Sequence, residues 1–432
     1  MTARLKLYGS MLGTLFTALA LVIGGTSQDA ATNSQTAAST SSIATREAPT
    51  GFDNKTNGFV DQATHDMDRA TFEEVDDASE GLGPVFNEKG CANCHASPKT
   101  GGTSAITELR AGHLGSRGEF ENPDVPINGG ANVISGRSLI NQFAICPQAQ
   151  ETVPSTETIR AIRMTPSALG DGFVEAIDDQ TLINISQSQR RATGGRVQGE
   201  FIQVAVMEAP GTTRIGRFGW KDQHASLLSF AGDAYLNEQG ITNRLFPADV
   251  TSVCDVVGDP EDKPESAGST DEDVDFFARF FRAAKAPSVD SAAMAKADAQ
   301  AGSRLFDQVG CSTCHVRSIR TAPVGTVMNG GLFIVPDALG SKIIHPFSDY
   351  LLHDVGTGDG IVQNGPPSTA NKMRTAPLWG LRFRTSLMHD GKSNGPTAAI
   401  LRHRNEARSA LNAYLGLSLR QKAQLARFLG AL

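Results

Sequence analysis

Apolar residues recur at spacings of three and four in two stretches, one beyond the middle of the chain and one at its end. Val274, Phe277, Ala278 and Phe281 form a stripe within Thr270–Ala284, behind Asp271, Glu272 and Asp273, whose charges suit a helix N-terminus. Leu425, Phe428, Leu429 and Leu432 form another within Ser418–Leu432, with Ser418 placed to cap it. Leu305, Phe306 and Val309 line one side of a further helix that begins near Ala301. The period changes to two between Arg196 and Val206, where Val197, Phe201 and Val204 predict a strand. The stretch Arg214–Trp220 would pair with it as a hairpin. A helix from Ala225 to about Glu238, stopped by Gly240, follows. Asp255–Asp275, acidic with Pro260 and Pro264, reads as a solvated loop, and Gly356–Pro367 as a Gly/Pro-rich excursion.

The start of the chain has a different pattern. Arg4 and Lys6 precede the apolar run Met11–Ile23, and Gly24, Gly25, Thr26 and Ser27 offer small residues for cleavage, so residues 1–26 read as an export signal. The run is short for a membrane helix; if uncleaved, it would act as an N-terminal anchor. Ser, Thr, Ala and Gln then dominate to about Thr50, too few large apolar groups to order the chain, which predicts a disordered tether over residues 27–70.

The candidate chemistry lies in two pentapeptides, Cys91-Ala-Asn-Cys94-His95 and Cys311-Ser-Thr-Cys314-His315. Two thiols at this spacing form thioethers to the two vinyl groups of one haem, and the histidine that follows sits beneath the iron. A redox dithiol or half a zinc site uses the same cysteine spacing. The redox reading lacks a surrounding βαβ pattern, and the zinc reading leaves the histidine after each pair unexplained. Two covalently bound haems c, with His95 and His315 as axial metal ligands, follow. Such attachment implies a periplasmic setting, which permits Cys146 and Cys254, an even pair, to form a disulfide; two separate buried thiols are the alternative.

The pattern repeats in the two halves. Each pentapeptide follows a glycine, Gly90 or Gly310, and each is followed at a distance by Arg-x-x-Pro, at Arg163–Pro166 and Arg374–Pro377. Each half closes on one of the amphipathic helices above. A helix before the haem crossing a helix at the end is the cytochrome c plan. The predicted fold is therefore mainly α, two cytochrome c-like domains in tandem over 71–287 and 288–432, the first enlarged by the β-hairpin insertion. The formal net charge of −7, about −9 once Arg4 and Lys6 leave with the signal, argues against nucleic acid and anionic lipid as partners. It tolerates a basic or neutral redox partner.

Several stretches together resemble a known family. Arg374-Thr-Ala-Pro-Leu-Trp-Gly380 followed by Met388-His389-Asp390-Gly391 is similar to the second domain of the bacterial di-haem cytochrome c peroxidase superfamily. Gly216-Arg-Phe-Gly-Trp-Lys221, Tyr235-Leu-Asn-Glu-Gln-Gly-Ile241 and Ser348-Asp-Tyr-Leu-Leu-His-Asp354 resemble more closely its di-haem oxidoreductase branch, whose members are described as peroxidases and in part as thiol oxidoreductases. The resemblance runs from about Asp77 to Leu432. It implies that electrons from a small donor protein, a cytochrome or cupredoxin, enter at the C-terminal haem and reduce a small oxidant such as hydrogen peroxide at the N-terminal haem. In that superfamily the sixth ligand of the second haem, a Met or Tyr, lies about fourteen residues past His-Asp-Gly. The same count from His389 reaches His403, so the resemblance implies a His/His second haem of lowered potential, with Met388 the competing ligand and His389 a group near the haem.

The first haem departs from the family pattern. No Trp-Asp-Gly-Arg occurs in the first half; the corresponding stretch is Gly170-Asp-Gly-Phe-Val-Glu175. Glu175 is the candidate catalytic acid–base residue, with Glu200 next, since a carboxyl beside an open iron would shuttle the peroxide proton. A structural glutamate explains Glu175 as well. His113 would instead be a sixth ligand. Trp220 would stand between the haems or simply fill a hairpin core. Arg374, and Arg163 less so, would serve haem propionates; a surface salt bridge is the alternative. Relatives often hold calcium between their domains, but no contiguous calcium loop is readable here. Two other functions fit the motifs: a non-catalytic two-haem electron carrier, and oxidation of a thiol or sulfur compound, for which Cys146 and Cys254 are the spare cysteines.

Overall fold

The computed structural model describes residues 46–255, 263–264 and 270–432. The predicted export signal and residues 27–45 of the predicted tether lie outside the described residues, as does most of the acidic loop after Asp255. Among the described residues no helix is long and apolar enough to cross a membrane.

The expectation of a mainly α fold is corrected: the chain is 32% helical and 17% strand, with many small sheets. Most strands are two or three residues long, tied as hairpins by glycine and proline turns. The longest, Thr107–Leu114, pairs antiparallel with Ile159–Met164 in register from Thr107↔Met164 to Gly112↔Ile159, and takes Phe120–Glu121 and Leu139–Ile140 at its sides. Its alternation of Glu108 and Arg110 with Leu109 and Ala111 was a readable period-two signal. The insertion is thus larger than one hairpin. The hairpin expected after Arg196 is there, Gln203–Ala205 against Thr213–Ile215.

The helices follow their predicted stripes. Asp273–Ala283 buries Val274, Phe277, Ala278, Phe280 and Phe281 behind an Asp275 capping box, and Leu419–Leu429 buries Leu425, Phe428 and Leu429 behind a Ser418–Gln421 box. The second packs across Ala297–Gln308 so closely that a Cβ on Gly302 would stand 2.0 Å from the Gln424 carbonyl oxygen. Only glycine permits that approach. Phe306 and Phe428 meet edge to face at this crossing, with ring centroids 5.4 Å apart.

The first half has the equivalent crossing, but not where the motif alignment puts it. Val85–Phe86, before the first pentapeptide, is a short strand paired with Phe143–Ala144. The helix that crosses Asp273–Ala283 is Gln62–Phe72, capped by Asp61, inside the segment expected to be tether. Phe72 meets Phe281 edge to face at 5.0 Å, and Arg279 pairs with the buried Asp68. Residues 46–70 are therefore held in the fold, with Arg46–Glu47 adding a parallel strand to Lys342–Ile343. Their low hydrophobicity misled because one aromatic and one buried ion pair anchor the whole helix.

A further duplication was not predicted. Asn128-Gly129-Gly130 and Asn329-Gly330-Gly331 turn two hairpins, Val125–Ile134 and Val327–Ile334, with matching left-handed backbone (φ 50°, 64°, 90° and 50°, 66°, 98°). Cys146 and Cys254 form a disulfide across 108 residues of sequence.

Candidate functional site

Each pentapeptide begins a short helical turn that aims its cysteines and histidine into a cavity. Cys311, Cys314 and His315 line one of about 800 Å³, and Cys91, Cys94 and His95 one of about 360 Å³. Both volumes suit a cofactor cleft. The four cysteines are unbonded. Burial pushes all four thiols up, those of Cys94 and Cys311 to about 12. A redox dithiol needs a lowered value, so this environment counts against that reading.

The two histidines share one hydrogen-bond arrangement. His95 Nδ1–H donates to the Gly102 carbonyl at 3.1 Å, and His315 Nδ1–H to the Phe347 carbonyl at 2.9 Å. A carbonyl only accepts, so each ring keeps its proton on Nδ1 and leaves the Nε2 lone pair free for a metal. Burial pushes both histidines down, His315 to about 4 with His403 adding to the effect.

The partner across the larger cavity is His403. Its Nδ1–H donates to the Ala399 carbonyl at 2.8 Å, again freeing Nε2, and its ring centroid lies 6.5 Å from that of His315. Two imidazoles on one metal, at bonds of about 2 Å each, hold their centroids on the order of 6 Å apart. Met388 and His389 also line this cavity. His389 is buried, lies 6.1 Å from the Trp220 ring and is pushed down to about 4 by burial.

The smaller cavity has no such pair. Among the described residues the rings against His95 are Phe72 and Phe281, at 6.1 and 6.3 Å. Polar groups line the cavity instead. Glu108 and Arg110, on one face of the Thr107–Leu114 strand, form a double hydrogen bond of 2.7 and 3.0 Å. Glu238 accepts from Asn87 at 2.7 Å and lies beside Glu108. Burial and the neighbouring Glu108 charge raise the Glu238 carboxyl, whereas on Glu108 the Arg110 guanidinium outweighs burial and holds it low. His224, bonded to Asp233 at 3.1 Å, completes the polar lining.

Several expected roles are corrected. Glu175 is fully buried but lines neither cavity; it accepts two hydrogen bonds from Arg282 at 2.7 and 2.9 Å and also accepts from Leu227 and Asn329. Arg282 outweighs burial and keeps it ionised, so it is a structural anion, not an acid–base group. Glu200 pairs with Lys372, and His113 with Glu157 and Glu121, both away from the cavities. Arg163 is fully buried against Asp359, which Lys221 also binds, rather than on the surface. Arg374 lines the larger cavity with its Nε donating to Gly219. Arg384, overlooked in the sequence, lines the same cavity and, among the described residues, donates to the Pro377 carbonyl alone. A haem propionate would complete either guanidinium.

Trp220 and Met164–Pro166 line both cavities. The Trp220 indole N–H donates to the Met164 carbonyl at 2.7 Å, so these residues form a shared wall.

Two cavities, each furnished with a cysteine pair and a histidine and separated by one tryptophan wall, define a protein built for two haems. The chain belongs to the family described as "Di-haem oxidoreductase, putative peroxidase", whose model matches residues 153–432. The first pentapeptide precedes the matched region. Hydrazine synthase from Kuenenia stuttgartiensis, pressurized with xenon, is a structural neighbour at 14% identity over 90% of each chain, with a TM-score of 0.38. A comparison with curated proteins gives no match.

Proposed function

We propose that this di-haem oxidoreductase binds both haems covalently through Cys91/Cys94 and Cys311/Cys314, receives electrons at the second haem, and reduces hydrogen peroxide at the first. The observation that carries the reading is the inequality of the two cavities: the His403 ring lies 6.5 Å from that of His315, whereas among the described residues the rings in contact with His95 are phenylalanines and the imidazole in its cavity lining, His224, is engaged by Asp233. A doubly ligated iron suits electron transfer, and a singly ligated one leaves room for a small oxidant.

The haems would supply the redox chemistry; the protein's own residues do the rest. His95, His315 and His403 hold the metals, and Arg374 and Arg384 take the second haem's propionates. Trp220 sits on the route between the cavities. Glu238, beside Glu108, replaces Glu175 as the acid–base group, passing a proton to the departing oxygen as hydrogen peroxide, two electrons and two protons become two waters. Arg110 keeps Glu108 charged, and that charge helps to keep the proton on Glu238. The Cys146–Cys254 disulfide supports a periplasmic location and removes the spare thiols that sulfur oxidation would need.

The test is an EPR and near-infrared spectrum of the ferric holoprotein, repeated after one electron per molecule. A high-spin signal lost on adding peroxide supports the reading. Two low-spin signals that persist through half-reduction leave an electron carrier.

A further inference from the structure

The charge of this chain is unevenly placed. Residues 391–432 carry seven basic side chains and one acidic, Glu406, whereas the rest of the chain carries thirty-two basic and forty-five acidic. Part of the excess is neutralised: Arg402 pairs with Asp390, and Arg427 reaches Asp298 at 3.8 Å. The single acid is already engaged, accepting from His353 and the Asp354 amide. Arg404, Arg408 and Arg420 are exposed, and none forms an ion pair among the described residues.

The same segment carries apolar side chains that the fold leaves outside. Leu401, Leu415 and Leu419 are 46%, 51% and 87% exposed. The same segment forms the outer wall of the second cavity. Ala410, Leu411, Asn412 and Tyr414 line that cavity, and the Ala410 methyl lies 3.8 Å from where a Gly310 Cβ would be, beside the Cys311 motif. His403 lies between Leu401 and Arg404 in sequence. Exposed apolar and cationic side chains on one segment, backed directly by a redox site, have the anatomy of a steered, short-lived docking surface.

We propose that this basic face, residues 391–432, docks a small acidic one-electron carrier protein. The proposal rests on the reading that a protein donor feeds the second haem, and it reverses the partner expected from overall charge. The acidic remainder of the chain repels an acidic carrier and this face attracts it, so the contrast orients the encounter. Each docking passes one electron from the reduced carrier to the second site. Two dockings, with two protons, account for one hydrogen peroxide converted to two waters. An anionic membrane would also meet the cations, but it would deliver no electron to the cavity wall they cover.

The experiment is stopped-flow reduction of the ferric holoprotein by two reduced probes, an acidic plastocyanin and a basic mitochondrial-type cytochrome c. Lowering salt from about 500 to about 20 mM should raise the second-order rate constant at least tenfold for the acidic probe and not for the basic one. The Arg408→Glu/Arg420→Glu variant should lose that gain, and Arg408→Lys/Arg420→Lys should keep it. Dithionite reduction and the haem spectrum report whether each variant is intact. A rate for the acidic probe that ignores salt, or falls as salt is removed, overturns the docking proposal while leaving electron entry measured. Reduction by dithionite but by neither protein would instead sink the protein-donor reading beneath it. Salt-sensitive self-association in sedimentation, or flotation with phosphatidylglycerol vesicles, in place of the acidic-probe response also overturns it.

Discussion

The two cavities are built on one plan and finished differently. Each has a Cys-x-x-Cys-His turn, a histidine tied by Nδ1–H to a carbonyl, and a pair of crossed helices that meet through phenylalanines near that histidine. Each is followed by an Arg-x-x-Pro segment and carries an Asn-Gly-Gly hairpin in its half. The differences lie across from the histidine. The second cavity presents a second imidazole, His403, and the guanidinium groups of Arg374, 3.7 Å from the buried Asp222, and of Arg384. The first presents the carboxyl pair Glu108 and Glu238, bounded by Arg110 and by His224 with Asp233. On the proposed function, conserving the near side and varying the far side would let one architecture yield an electron port and a reaction chamber: the near side would hold the metal, and the far side would decide what else reaches it.

The largest effect should come from deleting either attachment. Cys91→Ser/Cys94→Ser and Cys311→Ser/Cys314→Ser should each halve the haem absorbance per protein in a pyridine haemochrome assay. Only the second should abolish the low-spin signal assigned to the His315/His403 pair. If both variants lose the same signal, the cavities are not the distinct sites described.

Glu238→Gln should lower peroxide turnover by about 10²–10⁴-fold, while Glu175→Gln should not, once its folding is verified by circular dichroism. The Glu238 value is raised, so the acid form that donates the proton is lost, and turnover should fall, as pH rises through it; the Gln variant should lack that limb. Stability follows the same sign. A carboxyl raised in the folded state contributes stability that is complete below its unfolded value, near 4.3, and is lost as pH climbs to its folded value. The slope of Tm against pH over that window should flatten in Glu238→Gln.

His403→Ala should create a new high-spin ferric signal at the second haem, making it resemble the first, and His403→Met should raise its potential in a redox titration. An unchanged spectrum in both would return the ligand role to Met388. The smallest contrast is in stability. The first half carries the Cys146–Cys254 bridge, and its removal by Cys146→Ala/Cys254→Ala should cost about 2–5 kcal/mol in denaturant unfolding.

What could be read from the residues depended on how local the information was. The pentapeptides, the Ser418 cap, the stripes of Asp273–Ala283 and Leu419–Leu429, and the Gln203–Ile215 hairpin are specified within a few neighbouring positions, and they are where the sequence puts them. Counting from the His-Asp-Gly motif pointed to His403, which lies just beyond the short helix Pro396–Leu401 and lines the second cavity. Glu175 was misjudged because nothing near it in sequence announces Arg282, more than a hundred residues away, which claims its charge. Gln62–Phe72 was misjudged because its partners, Phe281 and Arg279, lie at the other end of the first half.

The sequence by itself determined the two Cys-x-x-Cys-His turns and the terminal helices of each half, all short-range patterns. Tertiary structure alone decided that the halves share Trp220 and Met164–Pro166 as a wall, that Glu108 on a strand meets Glu238 at the end of a helix, and that the basic C-terminal segment covers the second cavity. Each of these joins groups far apart along the chain. Desolvation, which sets the proton affinity of a carboxyl and the unmet charge of an arginine, exists only after distant segments have packed around them.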